Sequence, residues 1–230
     1  MQSKKVAVIG ANGFVGSALV KKLNLSNFFE VVPVTRESFL ESKKDSYNYV
    51  INAAMPSARF KAKKNPLWDF QATIDLTAKI YYGWNYEKFV QISSISARSQ
   101  PETIYGKHKK LAELICRDNS LIVRLGPMYD NKLDKGVLID MLNRDDVYVS
   151  GESRYCFSSL EFCCNWIIEN LDQIGIKEVG ARNSIELHKL ADQLKLNVNF
   201  NGSIDHQEVF SPEAGFPDVM DVINFLKDRL

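Results

Sequence analysis

The feature that most constrains this chain is a glycine-spaced turn set directly behind an apolar run. Val6 to Ile9 carries no polar residue, the pattern of a strand buried on both faces of a parallel sheet. It leads into Gly10-Ala11-Asn12-Gly13-Phe14-Val15-Gly16, and apolar residues at helical spacing follow from Phe14 to Leu25. Each glycine has a mechanical use here. Gly10 permits the tight turn, Gly13 lets the backbone approach a pyrophosphate, and Gly16 lets the helix lie close to the sheet. The N–H groups of the helix's first turn, with their partial positive charge, then face the anion.

Further along, the first half alternates short apolar runs with helical patterns. Val31 to Val34, Tyr49 to Ile51, Phe89 to Ile92 and Leu121 to Leu125 read as strands, and Thr73 to Tyr82 and Tyr105 to Cys116 as helices. That alternation predicts an α/β fold, a doubly wound parallel sheet of the Rossmann type. After about residue 126 the rhythm loosens. Helices are expected over Gly136 to Leu142, Leu160 to Leu171, Ser184 to Leu194 (with Ser184 as N-cap) and Pro217 to Leu230, and short strands over Val147 to Val149 and Tyr155 to Phe157. The expected organisation is a dinucleotide-binding domain over residues 1–150 and a small C-terminal α/β lobe over 151–230 that contributes to a substrate pocket.

The end of the second strand bears on the dinucleotide. An acidic residue about 20 positions beyond the glycines suits the ribose 2′-hydroxyl of NAD. Here Thr35 and Arg36 follow the strand, and Arg36 could pair with the 2′-phosphate of NADP through charge-assisted hydrogen bonds. Glu37 could instead serve NAD. NADP is expected ahead of NAD.

The fourth strand ends in Ser93-Ser94, where an open parallel sheet places its ligands. Tyr105 and Lys109 follow at i,i+4 spacing, on one face of a helix. A phenol with a pKa near ~10 is a poor proton donor at neutral pH. A neighbouring ammonium would favour its phenolate and lower that value. Tyr105 could then exchange a proton with a substrate oxygen, Ser94 could hold that oxygen, and Lys109 could tune the phenol and bond the nicotinamide ribose.

These pieces together resemble the extended short-chain dehydrogenases/reductases, NAD(P)-dependent epimerases, dehydratases and reductases of nucleotide sugars. The matching stretches are Val6 to Gly16, Val50 to Ala54, Phe89 to Ser94, Tyr105 to Glu113 and Val123 to Asp130, in the family's order. The resemblance implies that Ser94, Tyr105 and Lys109 take the catalytic places. It adds Asn12, Phe14 and Val15 to the glycines of the pyrophosphate turn, sets Ala53 and Ala54 along the cofactor, and brings Gly126 and Pro127 toward the nicotinamide carboxamide. It implies an NADP(H)-dependent keto-reductase or epimerase, acting on a nucleotide-linked sugar by hydride transfer, and a possible homodimer; a cytoplasmic location is expected from the four cysteines, which lack metal or CxxC spacing and read as free thiols. The family's Asn in the helix before the fourth strand has Gln71 in its place here. The usual aromatic-glycine pair after the serines is Ala97-Arg98. Ile95 and Ser96 stand where the dehydratases carry acidic residues, so dehydration is disfavoured.

Other residues also bear on the chemistry. Arg98 and Ser96 are candidates for contacting the substrate, Arg98 from the loop between Ser94 and Tyr105. Arg59, Lys61, Lys63 and Lys64 form a basic loop after the third strand, either solvated or facing a diphosphate. His108 is expected on the exposed side of its helix, directed away from Tyr105. His188 and His206 show no ligand pattern, and no metal is expected. Trp68, Trp84 and Trp166 are expected to pack, and the four cysteines to be free and buried.

Composition narrows the remaining classes. Net charge is +1 and 45% of residues are hydrophobic, which excludes a disordered chain. No apolar run reaches the ~20 residues of a membrane span, and no secretory leader is read in the first residues. The balance gives no bulk-charge support for a nucleic-acid partner. Two rivals stay open: an NADP-sensing protein of the same fold without turnover, and a nucleic-acid binder using the Lys61–Lys64 and Lys107–Lys110 clusters.

Overall fold

A computed structural model describes residues 3–116 and 119–230. Residues 1–2 of the expected first domain lie outside the described residues. The chain divides into two compact units, one of residues 1–124 and 164–177, the other of residues 125–163 and 178–230. The division falls nearer residue 125 than 150, and 164–177 returns to the first unit.

Strands β1 (Lys4–Ile9), β2 (Phe29–Val34), β3 (Ser46–Asn52), β4 (Asn85–Ser94) and β5 (Ser120–Leu125) join Gly175–Val179 in one six-stranded sheet. Their order is β2-β1-β3-β4-β5 and then Gly175–Val179. β1 pairs in parallel with both β2 and β3, and β3 with β4. This is the Rossmann-type α/β fold that the alternating pattern predicts. The order reverses direction between β1 and β3, and in such sheets ligands bind at that switch point, outside the carboxyl ends of the strands. The apolar runs of β1, β3 and β5 are buried because helices cover the sheet. Ala7, Ile9, Tyr47, Val50, Ile80, Trp84, Phe89 and Ile122 belong to one buried cluster.

The helices start where local chemistry allows. Asn65 accepts the N–H of Trp68 at 3.1 Å and Pro66 takes the first helical place, so the helix begins at Pro66 rather than at the expected Thr73. It runs as Pro66–Phe70, a π turn over Gln71–Asp75, and Leu76–Tyr81. Thr103 accepts the N–H of Gly106 at 3.0 Å and opens the helix Ile104–Ile115. The expected basic loop is a short helix, Arg59–Lys64, and Arg98 lies on a single helical turn, Ser96–Ser99, instead of a loop.

Differences concentrate in the second half. Val147 makes one isolated bridge to Phe200, so the expected strand over Val147 to Val149 does not form. Val147 donates to Asn199 at 2.9 Å and accepts from Asn201 at 2.8 Å, and the next backbone bond, Ser150 to Ser203 at 3.0 Å, comes three residues later. The second short strand is Arg154–Tyr155. Ser184 does not cap a helix. Its hydroxyl donates to Glu208 at 2.6 Å, and the helix is Leu187–Gln193. The last helix shortens to Asp221–Lys227, because Asp218 accepts the Met220 N–H at 2.9 Å in a turn that precedes it.

All four cysteines are free and buried. Trp84 and Trp166 are buried, whereas Trp68 is half-buried and packs under Lys61, whose Nζ is 3.8 Å from its ring centroid. Among the described residues no helix is long and apolar enough to cross a membrane.

Candidate active site

The turn after β1 has the close packing its glycines predict. Gly10 has φ +83°, and a Cβ there would lie 2.7 Å from the Ala54 Cα and 2.8 Å from the Ala53 carbonyl oxygen. A Cβ at Gly16 would lie 2.1 Å from the Gly10 carbonyl oxygen. The turns ending β1 and β3 therefore touch at the switch point. Ala53 N–H donates to Ile9 at 2.9 Å, and the buried Asn52 side chain holds the turn by accepting from the Ala54 N–H at 3.2 Å. Asn52 in turn donates to Gln91 at 3.0 Å and to Thr77 at 3.3 Å, linking β3, β4 and the Leu76–Tyr81 helix. Gly13 is the N-cap of the helix Phe14–Leu23 and offers no side-chain cap, so its first-turn N–H groups remain available to an anion. Asn12 and Gly13 are exposed, and Phe14 and Val15 half-buried. These residues fit a dinucleotide pyrophosphate.

At the end of β2, Thr35 and Arg36 stand side by side, Arg36 exposed. The Thr35 side chain hydrogen-bonds Glu37 and holds its carboxyl below the usual range. In the second unit, Gly126 donates its N–H to Val179 at 2.8 Å, and the Pro127 carbonyl accepts from Ser158 at 3.2 Å.

The carboxyl end of β4 brings Ser94, Tyr105 and Lys109 together. Ser94 hydrogen-bonds the Tyr105 phenol. Lys109 Nζ stands 5.1 Å from the centroid of the same ring. Gly106 allows this approach, since a Cβ there would fall 2.0 Å from the Gln100 carbonyl oxygen and 2.7 Å from that of Ser96. Tyr105 is 6% exposed and Lys109 3%. Burial raises the phenol above its ordinary range, while Arg59 and the Ser94 hydrogen bond pull it back and Asp69 opposes them. The i,i+4 spacing predicts that Lys109 lowers it. Desolvation dominates instead, and it also depresses the ammonium of Lys109 to about 7 against the pull of Asp69 and Glu113.

Two residues that no local pattern ties to this cluster, Arg59 and Asp69, act on its phenol. Arg59 sits over the Tyr105 ring, its Cζ 5.8 Å from the centroid, and donates to Ser96 at 3.0 Å. Asp69 is fully buried, with Oδ2 2.7 Å from His108 Nδ1 and Oδ1 without a hydrogen-bond partner. Thr73, on the π turn, is fully buried with its hydroxyl also unpartnered, whereas Gln71 is exposed. His108 is thus not the exposed helix residue expected; its side chain is only 13% exposed and paired with Asp69. Neither Asp69 nor Thr73 carries a sequence motif, and only the Asn-Pro helix start marks their helix. Below the site, Glu113 binds Arg124 through contacts of 2.8 and 2.6 Å and accepts from Ser93 at 2.7 Å. Ser93 is thereby engaged by Glu113, while Ser94 acts on the Tyr105 phenol.

Arg98 is half-buried, and Ser96 is fully buried with its N–H on the Ser94 hydroxyl at 3.2 Å. His188 Nδ1 contacts the Gly151 carbonyl at 2.8 Å and His206 Nδ1 accepts from the Arg154 N–H at 3.1 Å. Among the described residues no cluster of metal-ligating side chains occurs.

No protein-family model matches the chain, and no curated protein matches its sequence. Solved structures do. The dTDP-4-dehydrorhamnose reductase of Bacillus anthracis str. Ames in complex with NADP superposes with a TM-score of 0.78 at 15% identity, covering 100% of this chain and 99% of that one. The chain has the fold of the extended short-chain dehydrogenases/reductases. The UDP-N-acetylglucosamine 4-epimerase of Methanobrevibacter ruminantium M1 gives 0.75 at 17% identity, covering 99% and 97%. The UDP-glucuronic acid 4-epimerase of Bacillus cereus, in complex with UDP-glucuronic acid and NAD, gives 0.74 at 14%, covering 98% and 100%.

Proposed function

We propose that this chain is an NADP(H)-dependent oxidoreductase that reduces or epimerises a nucleotide-linked keto-sugar. The observation that carries the reading is the buried contact of Ser94 with the Tyr105 phenol beneath Lys109, at the carboxyl end of β4. Structural neighbours that act on nucleotide sugars, one bound to NADP, support the substrate and cofactor class.

When bound, the dinucleotide supplies the hydride. The uncapped helix start at Gly13 binds its pyrophosphate, Ala53 and Ala54 line it, and Arg36 favours a 2′-phosphate. Tyr105 donates its proton to the carbonyl oxygen being reduced, and Ser94 orients that oxygen by hydrogen bond. Burial raises the Tyr105 pKa, so the phenol keeps its proton at neutral pH until substrate binds, while Arg59 and Ser94, which pull the pKa back, ease release of that proton to the carbonyl oxygen. Burial also keeps bulk water from competing for that proton.

The test is NADPH oxidation over a panel of nucleotide 4-keto-sugars, comparing the native chain with Tyr105→Phe. Turnover by the native chain alone supports the reading. NADPH binding by both proteins with turnover by neither favours the sensing alternative.

A further inference from the structure

We infer that Arg59 is the positioning cation of Tyr105, a guanidinium held over the phenol ring and anchored to the same serine turn that hydrogen-bonds the phenol. The inference deepens the reading under Proposed function and rests on it for its consequence in turnover.

Four residues from four elements close a ring of contacts. Arg59, first residue of the helix Arg59–Lys64, donates from Nη2 to Ser96 Oγ at 3.0 Å. Ser96 is fully buried, and its N–H donates to Ser94 Oγ at 3.2 Å. Ser94 hydrogen-bonds Tyr105, and the Tyr105 ring lies under the Arg59 guanidinium, 5.8 Å from Cζ to centroid. A cation held at this range over an aromatic face is attracted to it and, near a buried phenol, favours the phenolate.

The chain offers two cations to this phenol, and they differ in kind. Lys109, from the phenol's own helix, is so desolvated that its charge is half lost near neutral pH. A guanidinium keeps its charge throughout that range. The groups facing Tyr105 are therefore Arg59, Asp69 from the helix Pro66–Phe70, Lys109, and the neutral Ser94 of β4. Arg59 and Ser94 favour the phenolate and Asp69 opposes it. Arg59 thus supplies the steady field that lets a buried phenol give up its proton, a task that spacing along the helix would assign to Lys109.

The test uses the full chain with 3-fluorotyrosine, whose phenol is more acidic, in place of tyrosine. The Tyr105 fluorine resonance is assigned by its loss in Tyr105→Phe and followed against pH. An opposite charge within about 4–6 Å moves a pKa by about 1–3 units, so Arg59→Gln should raise the midpoint by about one pH unit. Arg59→Lys, which keeps the charge, should hold it within a few tenths. A midpoint unmoved in Arg59→Gln overturns the inference, as does an equal displacement in both variants, which would mark a packing role. The midpoint is read without substrate. A protein that turns over no keto-sugar yet shows this dependence loses the reading under Proposed function and keeps the role of Arg59.

Discussion

Lys109 and Tyr105 share one helix face, with the lysine Nζ 5.1 Å from the phenol centroid, yet the lysine's charge is governed from elsewhere. Burial lowers its ammonium to about 7, and Asp69 and Glu113 only partly restore it. A lysine whose folded pKa lies below its unfolded value leaves the native state with fewer bound protons between those values. Stability therefore rises with pH from about 7 toward 10.5 and is lowest below that window, where the buried group must be charged. Lys109→Met should stabilise the fold, by an amount on the order of a few kcal/mol below pH about 7, fading as pH rises through the window. Urea unfolding midpoints of the two proteins at several pH values check this; a gain independent of pH would contradict it.

Gly16 lies against the Gly10 carbonyl with no room for a side chain, since a Cβ would come within 2.1 Å of that oxygen. Gly16→Ala must push the helix Phe14–Leu23 away from the turn. The expected cost is about 1–3 kcal/mol of stability, with weaker NADPH binding because the first-turn N–H groups move with the helix. Thermal unfolding and calorimetric titration with NADPH read the two effects separately.

The Glu113–Arg124 pair is buried and carries two contacts of 2.8 and 2.6 Å. Glu113→Gln would leave Arg124 as an uncompensated buried charge and also disturb the hydrogen bond from Ser93. Breaking such a pair by removing one partner costs about 3–5 kcal/mol. Denaturant unfolding measures it. Glu113→Gln together with Arg124→Met should recover much of the loss.

Arg36, exposed beside Thr35 at the end of β2, is the residue to which the proposed function assigns a preference for NADP. Arg36→Ala should weaken NADPH binding about tenfold, as expected for loss of a charge-assisted hydrogen bond, and leave NADH binding nearly unchanged. Equal weakening of both would reassign the residue.

What the sequence made legible was chemistry with a short range along the chain. The glycine turn, the serine at a strand end and the Tyr105/Lys109 spacing each lie within one or two elements, so period and turn rules reach them. Arg59 and Asp69 escaped those rules. Arg59 meets Ser96 across 37 positions and Asp69 meets His108 across 39. Such pairs exist only once the sheet order is set, and no local pattern encodes them. Burial misled in the same way. The i,i+4 rule placed an ammonium near a phenol but could not tell that desolvation would dominate both groups. At Val147 an isolated bridge stands where a strand was expected, and apolar alternation over three residues could not separate the two.

The most direct measurement of the central claim is a single turnover with NADPH deuterated at the transferable position and a nucleotide 4-keto-sugar. The account predicts deuterium at the reduced carbon with the native chain, and a rate lowered at least a hundredfold in Tyr105→Phe, the low end of what a positioned acid contributes, about 10²–10⁴. Product without deuterium, or a Tyr105→Phe chain that reacts at the native rate, would contradict it.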